Sequence, residues 1–76
     1  MRDLVEFLTR TLVEDPDAVS VEEVTENGDI VLEISVAEDD LGRVIGRGGK
    51  VANALRSVAK AAGARDETRV MVEILE

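Results

Sequence analysis

The sequence predicts a single α+β domain over residues 1–76, with the element order helix, strand, strand, helix, helix, strand. Three observations predict it. Apolar residues recur at helical spacing near the start and again after residue 50, an Asn-Gly pair separates two β-prone runs, and three glycines separate the two central helices. A chain of 76 residues has enough apolar surface for one core and too little for a second.

The first predicted helix covers about residues 3 to 14. Leu4, Leu8 and Leu12 share one of its faces, with Val5 beside them. Asp3 followed by Glu6 has the spacing of a capping box, in which the two side chains satisfy free amides at the helix start. Pro16 then stops the helix, because it has no amide hydrogen to donate.

A β-hairpin follows, formed by the runs VSVEEVT and IVLEISV. The intervening Asn27-Gly28 favours a type I′ turn, because both central residues of that turn need a positive φ. In the second run the apolar residues alternate with more polar ones, which predicts a sheet covered by helices on one face. The residues expected to face those helices are Ile30, Leu32, Ile34 and Val36.

Two helices and a strand complete the chain. A short helix is expected from Glu38 to Val44 and a longer one from about Lys50 to Ala62, and the segment TRVMVEILE is the final strand. Gly63 suits the left-handed position that ends many helices. The residues of the longer helix expected to face the core are Val51, Leu55, Val58 and Ala62.

Charge is divided unevenly along the chain. The net charge is −8, yet residues 1–40 hold thirteen acids and two bases, whereas residues 41–76 hold seven bases and four acids. Between Asp40 and Asp66 every charged residue is basic, so a local basic surface is expected on an acidic protein. These bases are Arg43, Arg47, Lys50, Arg56, Lys60 and Arg65.

The residue types argue against several functions. The chain has no cysteine and no histidine, so a disulfide framework, a thiolate metal site and the usual nucleophile–base pairs are not expected. The prediction is a protein that is not an enzyme and has no cofactor and no metal. No segment has the length or hydropathy of a signal peptide or a membrane span, which predicts a cytoplasmic protein without membrane contact.

The segment VIGRGGK fails the two common glycine-rich phosphate motifs. A P-loop would need a glycine at Val44 and a hydroxyl at Val51, and a dinucleotide fingerprint would need its third glycine at Val51 and a strand before the loop. What fits is Gly-x-x-Gly between two helices. A glycine-rich turn without a ligand is the alternative, but such a turn needs one glycine rather than three with basic residues between and after them.

This loop, in this element order, resembles the KH domain of type II, and the segment AEDDLGRVIGRGGKVANALRSVAKAAGA resembles the KhpA-like subgroup of small bacterial single-KH proteins. The resemblance covers essentially the whole chain. It implies a three-stranded mixed sheet with three helices on one face and a loop that binds single-stranded RNA. The RNA-binding residues it implies are Gly46, Arg47, Gly48 and Gly49 in the loop and Arg43, Lys50, Asn53 and Arg56 on its flanks.

Other residues keep two interpretations. Val36, Val44 and Ile45 are expected as groove floor or as core, and Ala52 stands where KH domains commonly have a bulkier aliphatic residue. The spacing of Arg56, Lys60 and Arg65 fits an RNA contact or a solvated helix face equally well. Phe7 is the only aromatic residue, so base stacking on aromatic rings is excluded as the main source of affinity, and one copy should bind weakly.

Weak binding by one copy predicts that the domain works beside another. The resemblance implies either a homodimer or a heterodimer with a larger KH protein of the Jag/KhpB type, with helix 3 between Val58 and Ala62 as the expected contact. It also implies a role as an RNA chaperone or post-transcriptional regulator, including in cell shape. The alternative is a protein-interaction adaptor that uses the acidic hairpin and helix 1.

Overall fold

A computed structural model describes all residues from Met1 to Glu76. The element order is that predicted from the sequence. The helices and strands are α1 (Arg2–Leu12), β1 (Ser20–Glu26), β2 (Asp29–Ser35), α2 (Leu41–Ile45), α3 (Lys50–Arg65) and β3 (Val70–Ile74), with short 3₁₀ turns at Pro16–Ala18, Glu38–Asp40 and Arg47–Gly49. No helix is both long enough and apolar enough to cross a membrane.

The three strands form one mixed sheet in the order β1-β2-β3, as the resemblance implied. β1 pairs with β2 antiparallel and β2 pairs with β3 parallel. The hairpin turn is confirmed, since Asn27 has φ 51° and Gly28 has φ 84°, the two positive values of a type I′ turn. The parallel pairing requires a crossover, and the segment from Glu38 to Arg65 with α2 and α3 supplies it.

The core lies between the sheet and the helices. Leu32 and Ile34 of the central strand are fully buried, as the alternating pattern predicted, and Val21 and Val72 from the neighbouring strands pack beside them. Each large aliphatic side chain buried in this way contributes about 1.5–3 kcal/mol to folding. The sheet therefore has one face in the core, with helices covering it.

The structure buries the side of α1 that carries Val5 and leaves most of the predicted leucine face outside the core. Val5 and Thr9 are the fully buried residues, whereas Leu4 and Leu12 are exposed and Leu8 is partly buried. A threonine is tolerated in the core because its hydroxyl donates a hydrogen bond of 2.8 Å to the carbonyl oxygen of Val5, one turn earlier. Leu4 and Leu12 consequently lie on the exposed side of α1, and Leu8 packs at the edge of the core.

The predicted capping box at the start of α1 is also wrong. Met1 is the N-cap residue, and no side chain caps the helix. Asp3 and Glu6 instead accept from the guanidinium group of Arg2, at 2.8 and 3.0 Å. The Arg2 Nε donates to the Val21 carbonyl oxygen at 2.7 Å, so this arginine ties α1 to strand β1.

α3 buries a different set of residues from the predicted one and ends later than predicted. Of the four expected core residues only Leu55 is buried; the other three are partly exposed, and the buried positions are Ala52, Leu55, Ala59 and Gly63. Gly63 does not end the helix, because α3 continues to Arg65 and the left-handed residue is Glu67, at φ 55°. Small residues on this face let α3 lie close to β3.

Candidate nucleic-acid interface

The glycine loop turns the chain sharply between α2 and α3. Gly46, Gly48 and Gly49 all have positive φ values, of 76°, 63° and 79°. Residues with a Cβ rarely adopt such values, and Gly46 has a ψ of 170°, a combination that is essentially restricted to glycine. The three glycines are therefore explained by the backbone path alone, before any ligand is considered.

The surroundings of these glycines differ. A Cβ added to Gly46 would lie 2.5 Å from Val51 Cγ2 and 2.8 Å from the Val51 amide nitrogen, so this glycine packs against the start of α3. A Cβ added to Gly48 would meet nothing within 4 Å, and one on Gly49 would only reach Asn53 Nδ2 at 4.0 Å. The backbone at Gly48 and Gly49 is therefore open to the approach of another molecule.

The start of α3 provides positive potential beside this open backbone. Its N-cap residue is Gly49, and no side chain accepts hydrogen bonds from the first amides of the helix. The amides of Gly49 and Lys50 donate to the Gly46 and Arg47 carbonyl oxygens, so the attraction for a negatively charged ligand comes from the dipole at the N-terminus of this 16-residue helix. The exposed side chains of Arg47 and Lys50 form no ion pair or hydrogen bond within the chain.

Arg43, on α2, lies in a different environment from these two cations. Its guanidinium group pairs with Glu14 at 2.9 Å and with Asp40 at 3.3 Å. Asp40 is only 2% exposed, and its carboxylate accepts from the backbone amides of Glu14 and Asp15, both at 3.1 Å. These backbone hydrogen bonds, with the charge of Arg43, hold the pKa of the Asp40 carboxyl below its usual value against the opposing effect of burial.

Two of the predicted flank residues connect α3 to the edge of the sheet. Arg56 Nη1 donates to Asn53 Oδ1 at 3.2 Å, and Arg56 Nε lies 3.4 Å from the Val72 carbonyl oxygen of β3. β3 is an edge strand, so this oxygen has no partner from another strand. Arg56 and Lys60 also border a concavity of about 320 Å³ beside Val70, Met71 and Val72.

The three aliphatic residues near the loop are distributed between core and surface. Val44 is fully buried and belongs to the core, whereas Val36 and Ile45 are partly exposed. Val36 borders a shallow pocket with Leu41 and Leu75. No group of three or more acidic side chains is arranged to hold a metal ion.

The predicted residues therefore form three groups. The residues from Gly46 to Lys50 are contiguous and make the open, positively charged turn. Asn53 and Arg56 lie further along α3, where Arg56 reaches β3. Arg43 lies on α2 and is paired with acidic side chains. Two contributors to the site were not expected from the sequence, namely Val51 beneath Gly46 and the Val72 carbonyl group. Only Val51 had a local signal, since it begins the helix that the loop must pack against.

Comparison with known proteins agrees with this architecture. The sequence profile described as KhpA/KhpB, KH domain matches residues 2–74. A protein of Clostridium acetobutylicum named RNA-binding protein KhpA is 47% identical over 75 residues, covering 99% of this chain and all of that protein. Proteins of the same name from Caldanaerobacter subterraneus subsp. tengcongensis and Aquifex aeolicus are 43% and 40% identical, with 99% and 100% of this chain covered and 100% and 96% of theirs. With a family match over nearly its whole length and an open glycine turn between its two central helices, the chain belongs to the KhpA/KhpB family of KH domains.

Proposed function

We propose that this chain binds single-stranded RNA through the loop from Gly46 to Lys50, with little sequence selectivity. The observation that carries the proposal is the open backbone at Gly48, which stands at the uncapped start of α3 between two cations without partners. The names of the relatives, which call those proteins RNA-binding, support the same function.

The proposed mechanism is electrostatic docking of the sugar-phosphate backbone. A phosphate group approaches Gly48 and Gly49, where no side chain is in the way, and is attracted by the positive end of the α3 dipole. Arg47 and Lys50 add long-range attraction and direct contacts. Arg56 and Asn53 lie where the strand would continue along α3, so their polar groups are the proposed contacts to bases or sugars.

Phosphate contacts make a specific prediction about salt. Each phosphate contact to a single strand contributes about −0.7 to the slope of the logarithm of affinity against the logarithm of salt concentration. Three or four neutralised phosphates should therefore give a slope of about −2 to −3. Fluorescence anisotropy with a labelled oligonucleotide at several salt concentrations measures this slope. A slope near zero would contradict docking on the phosphate backbone.

The direct test replaces Arg47 and Gly48 with aspartate and titrates an RNA of about four nucleotides, the length that a KH loop clamps. Aspartate tolerates positive φ better than most residues, and the space around Gly48 is open, so the fold is expected to persist. The substitutions place negative charge where the phosphate would lie. We expect binding to be lost while the circular dichroism spectrum and thermal midpoint stay close to those of the unmodified chain.

A matched control makes the same chemical changes elsewhere. Gly28 also has a positive φ and open space around it, and Arg10 is exposed and without an ion pair. Replacing both with aspartate alters the net charge by the same amount but leaves the loop intact. Binding should survive in this control, and equal loss in both double variants would show that total charge, rather than the loop, governs binding.

A protein-interaction adaptor is the second candidate function. The observation that favours it is the exposure of large apolar side chains on α1, a helix that lies in the strongly acidic front half of the chain. The predicted larger partner is a KH protein of the Jag/KhpB type. Co-purification that survives the Arg47 and Gly48 substitutions would support this function, and RNA binding that stays unchanged in the same variant would favour it over the first.

The more detailed roles stay predictions. They include action as an RNA chaperone or post-transcriptional regulator, a part in cell shape, a cytoplasmic location and the lack of enzymatic activity. The regulatory and cell-shape roles depend on the identity of the bound RNA or of the partner, which cross-linking in cells followed by sequencing would identify. The cross-linked position in the protein should fall between Arg43 and Arg56.

A further inference from the structure

One face of the sheet is not covered by the helices. The helices pack on the opposite face, where Leu32, Ile34 and Val72 belong to the core. Successive side chains of a strand point to opposite faces, so the residues between these core positions project away from the helices. We call this second surface the open sheet face. It is formed by Glu22 and Val24 of β1, Val31 and Glu33 of β2, and Met71 and Glu73 of β3.

Three glutamates stand side by side across the open sheet face. Glu22 pairs in register with Glu33, and Glu33 pairs in register with Glu73, so this glutamate row crosses all three strands. None of the three carboxylates forms an ion pair. Like charges directly opposite each other on neighbouring strands destabilise a sheet. The fold therefore carries a row of negative charge that no cation of the same chain neutralises.

An apolar row lies beside the glutamate row. Val24 pairs in register with Val31, and Val31 pairs in register with Met71. Val31 is only 7% exposed although it lies outside the main core cluster, so its neighbours on the open sheet face shield it. Met71 is 37% exposed. The open sheet face thus has one charged stripe and one apolar stripe, about 7 Å apart along the strands.

The charge of the strands determines which partners suit this face. β1, β2 and β3 contain three, two and one acidic residues and no lysine or arginine. Nucleic acid, an anionic membrane and the same face of a second copy would all bring further negative charge to it. The basic helix of this chain, α3, already packs against β3 from the other side of the sheet. The face is therefore complementary to a cationic partner that also has apolar side chains.

We propose that the open sheet face binds a basic amphipathic helix of a partner protein. The outer strands of a three-stranded sheet are about 10 Å apart, and seven residues of a helix rise about 10.5 Å. A helix lying across the strands, with lysines or arginines at i, i+4 and i+7, therefore places one cation near each member of the glutamate row. Aliphatic residues on the adjacent side of that helix pack on the apolar row.

The open sheet face is separate from the glycine loop. The loop joins α2 and α3, which lie on the other side of the sheet. A chain that binds a partner helix on this face consequently keeps its loop free for RNA. The inference gives the adaptor function a surface and a class of partner, and it does not depend on RNA binding.

The first experiment uses a synthetic peptide as the partner. A fluorescein-labelled peptide of lysine, leucine and alanine, about 14 residues long, has its lysines and its leucines on adjacent sides of one helix. A second peptide has the same composition in scrambled order and lacks these sides. Fluorescence anisotropy should show binding of the first peptide and about tenfold weaker binding of the second. No binding of the first peptide, or equal affinity for both, would overturn the proposal.

The glutamate row is tested by substituting its three members together, as Glu22→Gln, Glu33→Gln and Glu73→Gln. Glutamine keeps the side-chain size and removes the charge, so we expect the affinity for the amphipathic peptide to fall by about tenfold or more. The thermal midpoint at low salt should stay the same or rise, because the repulsion within the row is gone. The two effects have opposite signs, so loss of folding cannot imitate loss of binding. Unchanged peptide affinity would contradict the role of the row.

A matched control removes three acids elsewhere. Asp15→Asn, Asp17→Asn and Asp66→Asn alter exposed residues that lie outside the strands and form no ion pair. The change in net charge is the same. Peptide binding should survive in this control. Equal loss in both triple variants would show that net charge, rather than the open sheet face, attracts the peptide, and would also overturn the proposal.

The same proteins separate this surface from the loop and from self-association. The Arg47 and Gly48 double substitution should still bind the peptide, and the glutamine variant should keep its affinity for an RNA of about four nucleotides. A chain that binds the peptide but no RNA would refute only the proposed function, and one that binds RNA but no peptide would refute only this inference. Self-association that disappears with the three glutamine substitutions, measured by sedimentation equilibrium, would make a second copy the occupant and would overturn the partner helix.

Discussion

Gly48 and Gly63 lie at opposite ends of the same helix and serve different purposes. Gly63 is buried, and a Cβ there would lie 2.5 Å from the Thr68 carbonyl oxygen and 2.6 Å from Val70 Cγ2. Gly48 is exposed, and a Cβ there would meet nothing within 4 Å. The first glycine is needed by the fold, because it lets α3 approach β3, whereas the second leaves backbone free beside two cations.

This difference shows that the presence of a glycine says little until its surroundings are known. Gly63 fits the general expectation that glycine ends a helix, yet α3 continues past it to Arg65, and the glycines that cap helices here are Gly46 and Gly49. Gly46 is intermediate, since it has a positive φ like Gly48 but packs against Val51 as tightly as Gly63 packs against Val70. A glycine is structural where neighbouring atoms fill the space that a side chain would occupy, and it is available to a ligand where that space is empty.

The largest expected effect on stability is that of Gly63→Ala. The added methyl group overlaps a backbone oxygen, which cannot move without shifting the α3–β3 connection. We expect the free energy of unfolding to fall by about 1–3 kcal/mol despite the better helix propensity of alanine. Urea denaturation measures it. RNA affinity under native conditions should stay unchanged, and a variant as stable as the unmodified chain would contradict the structural role of Gly63.

Gly48→Ala should show the opposite behaviour. Its only structural cost is the positive φ, about 1–2 kcal/mol for a residue with a Cβ, because no atom is displaced. The new methyl group, however, occupies the space that a phosphate would approach. We expect the binding of a short RNA to weaken by about tenfold or more, with a loss of stability no larger than this backbone cost. If the affinity is unchanged while the stability falls sharply, the distinction between the two glycines is wrong.

Asp40 provides a smaller, pH-dependent test of the distinction between structural and exposed residues. It is charged, but like Gly63 it is buried and stabilises the fold. Its pKa is lowered in the folded protein, mainly by hydrogen bonds from the backbone amides of Glu14 and Asp15. The carboxylate therefore stabilises the fold fully above the ordinary aspartate pKa of about 3.9, and this contribution is lost as the pH falls through the lowered value.

Asp40→Asn removes that contribution, since an amide cannot accept both backbone hydrogen bonds as a carboxylate does. The variant should be less stable at pH 7. As the pH is lowered from about 4, its stability should fall less than that of the unmodified chain. Urea midpoints over a pH series measure the effect. Parallel pH curves for the two proteins would mean that Asp40 titrates alike in the folded and unfolded states.

Several features were predicted correctly because their physical causes are local. The hairpin at Asn27-Gly28 follows from the positive φ that both turn residues require. The burial of Leu32 and Ile34 follows from their shared face of β2, although Val31 on the other face is buried as well. The glycine turn between two helices was also visible as a pattern. The structure agrees with the order of all six main elements.

The errors concern which side of a helix faces the core. Leu4, Leu8 and Leu12 are the more hydrophobic set, yet Val5 and Thr9 are buried, because the sheet and α3 leave room for small side chains at that contact. Pattern analysis ranks residues by hydrophobicity, whereas packing selects them by volume and fit. Leu4 and Leu12, the more hydrophobic residues, are exposed as a result.

The element order, the hairpin turn and the position of the glycine loop can all be predicted from the sequence, because they follow from local backbone preferences. The acid-free stretch around the loop is equally visible, because its charges are close together in the chain. Only the folded chain shows which glycines are open and that Arg56 reaches β3. It also shows that Arg43 is paired with Glu14 and Asp40, whereas Arg47 and Lys50 have no partner. Such contacts join residues as many as 29 positions apart, and no local pattern specifies them. They arise only when the sheet brings distant segments together.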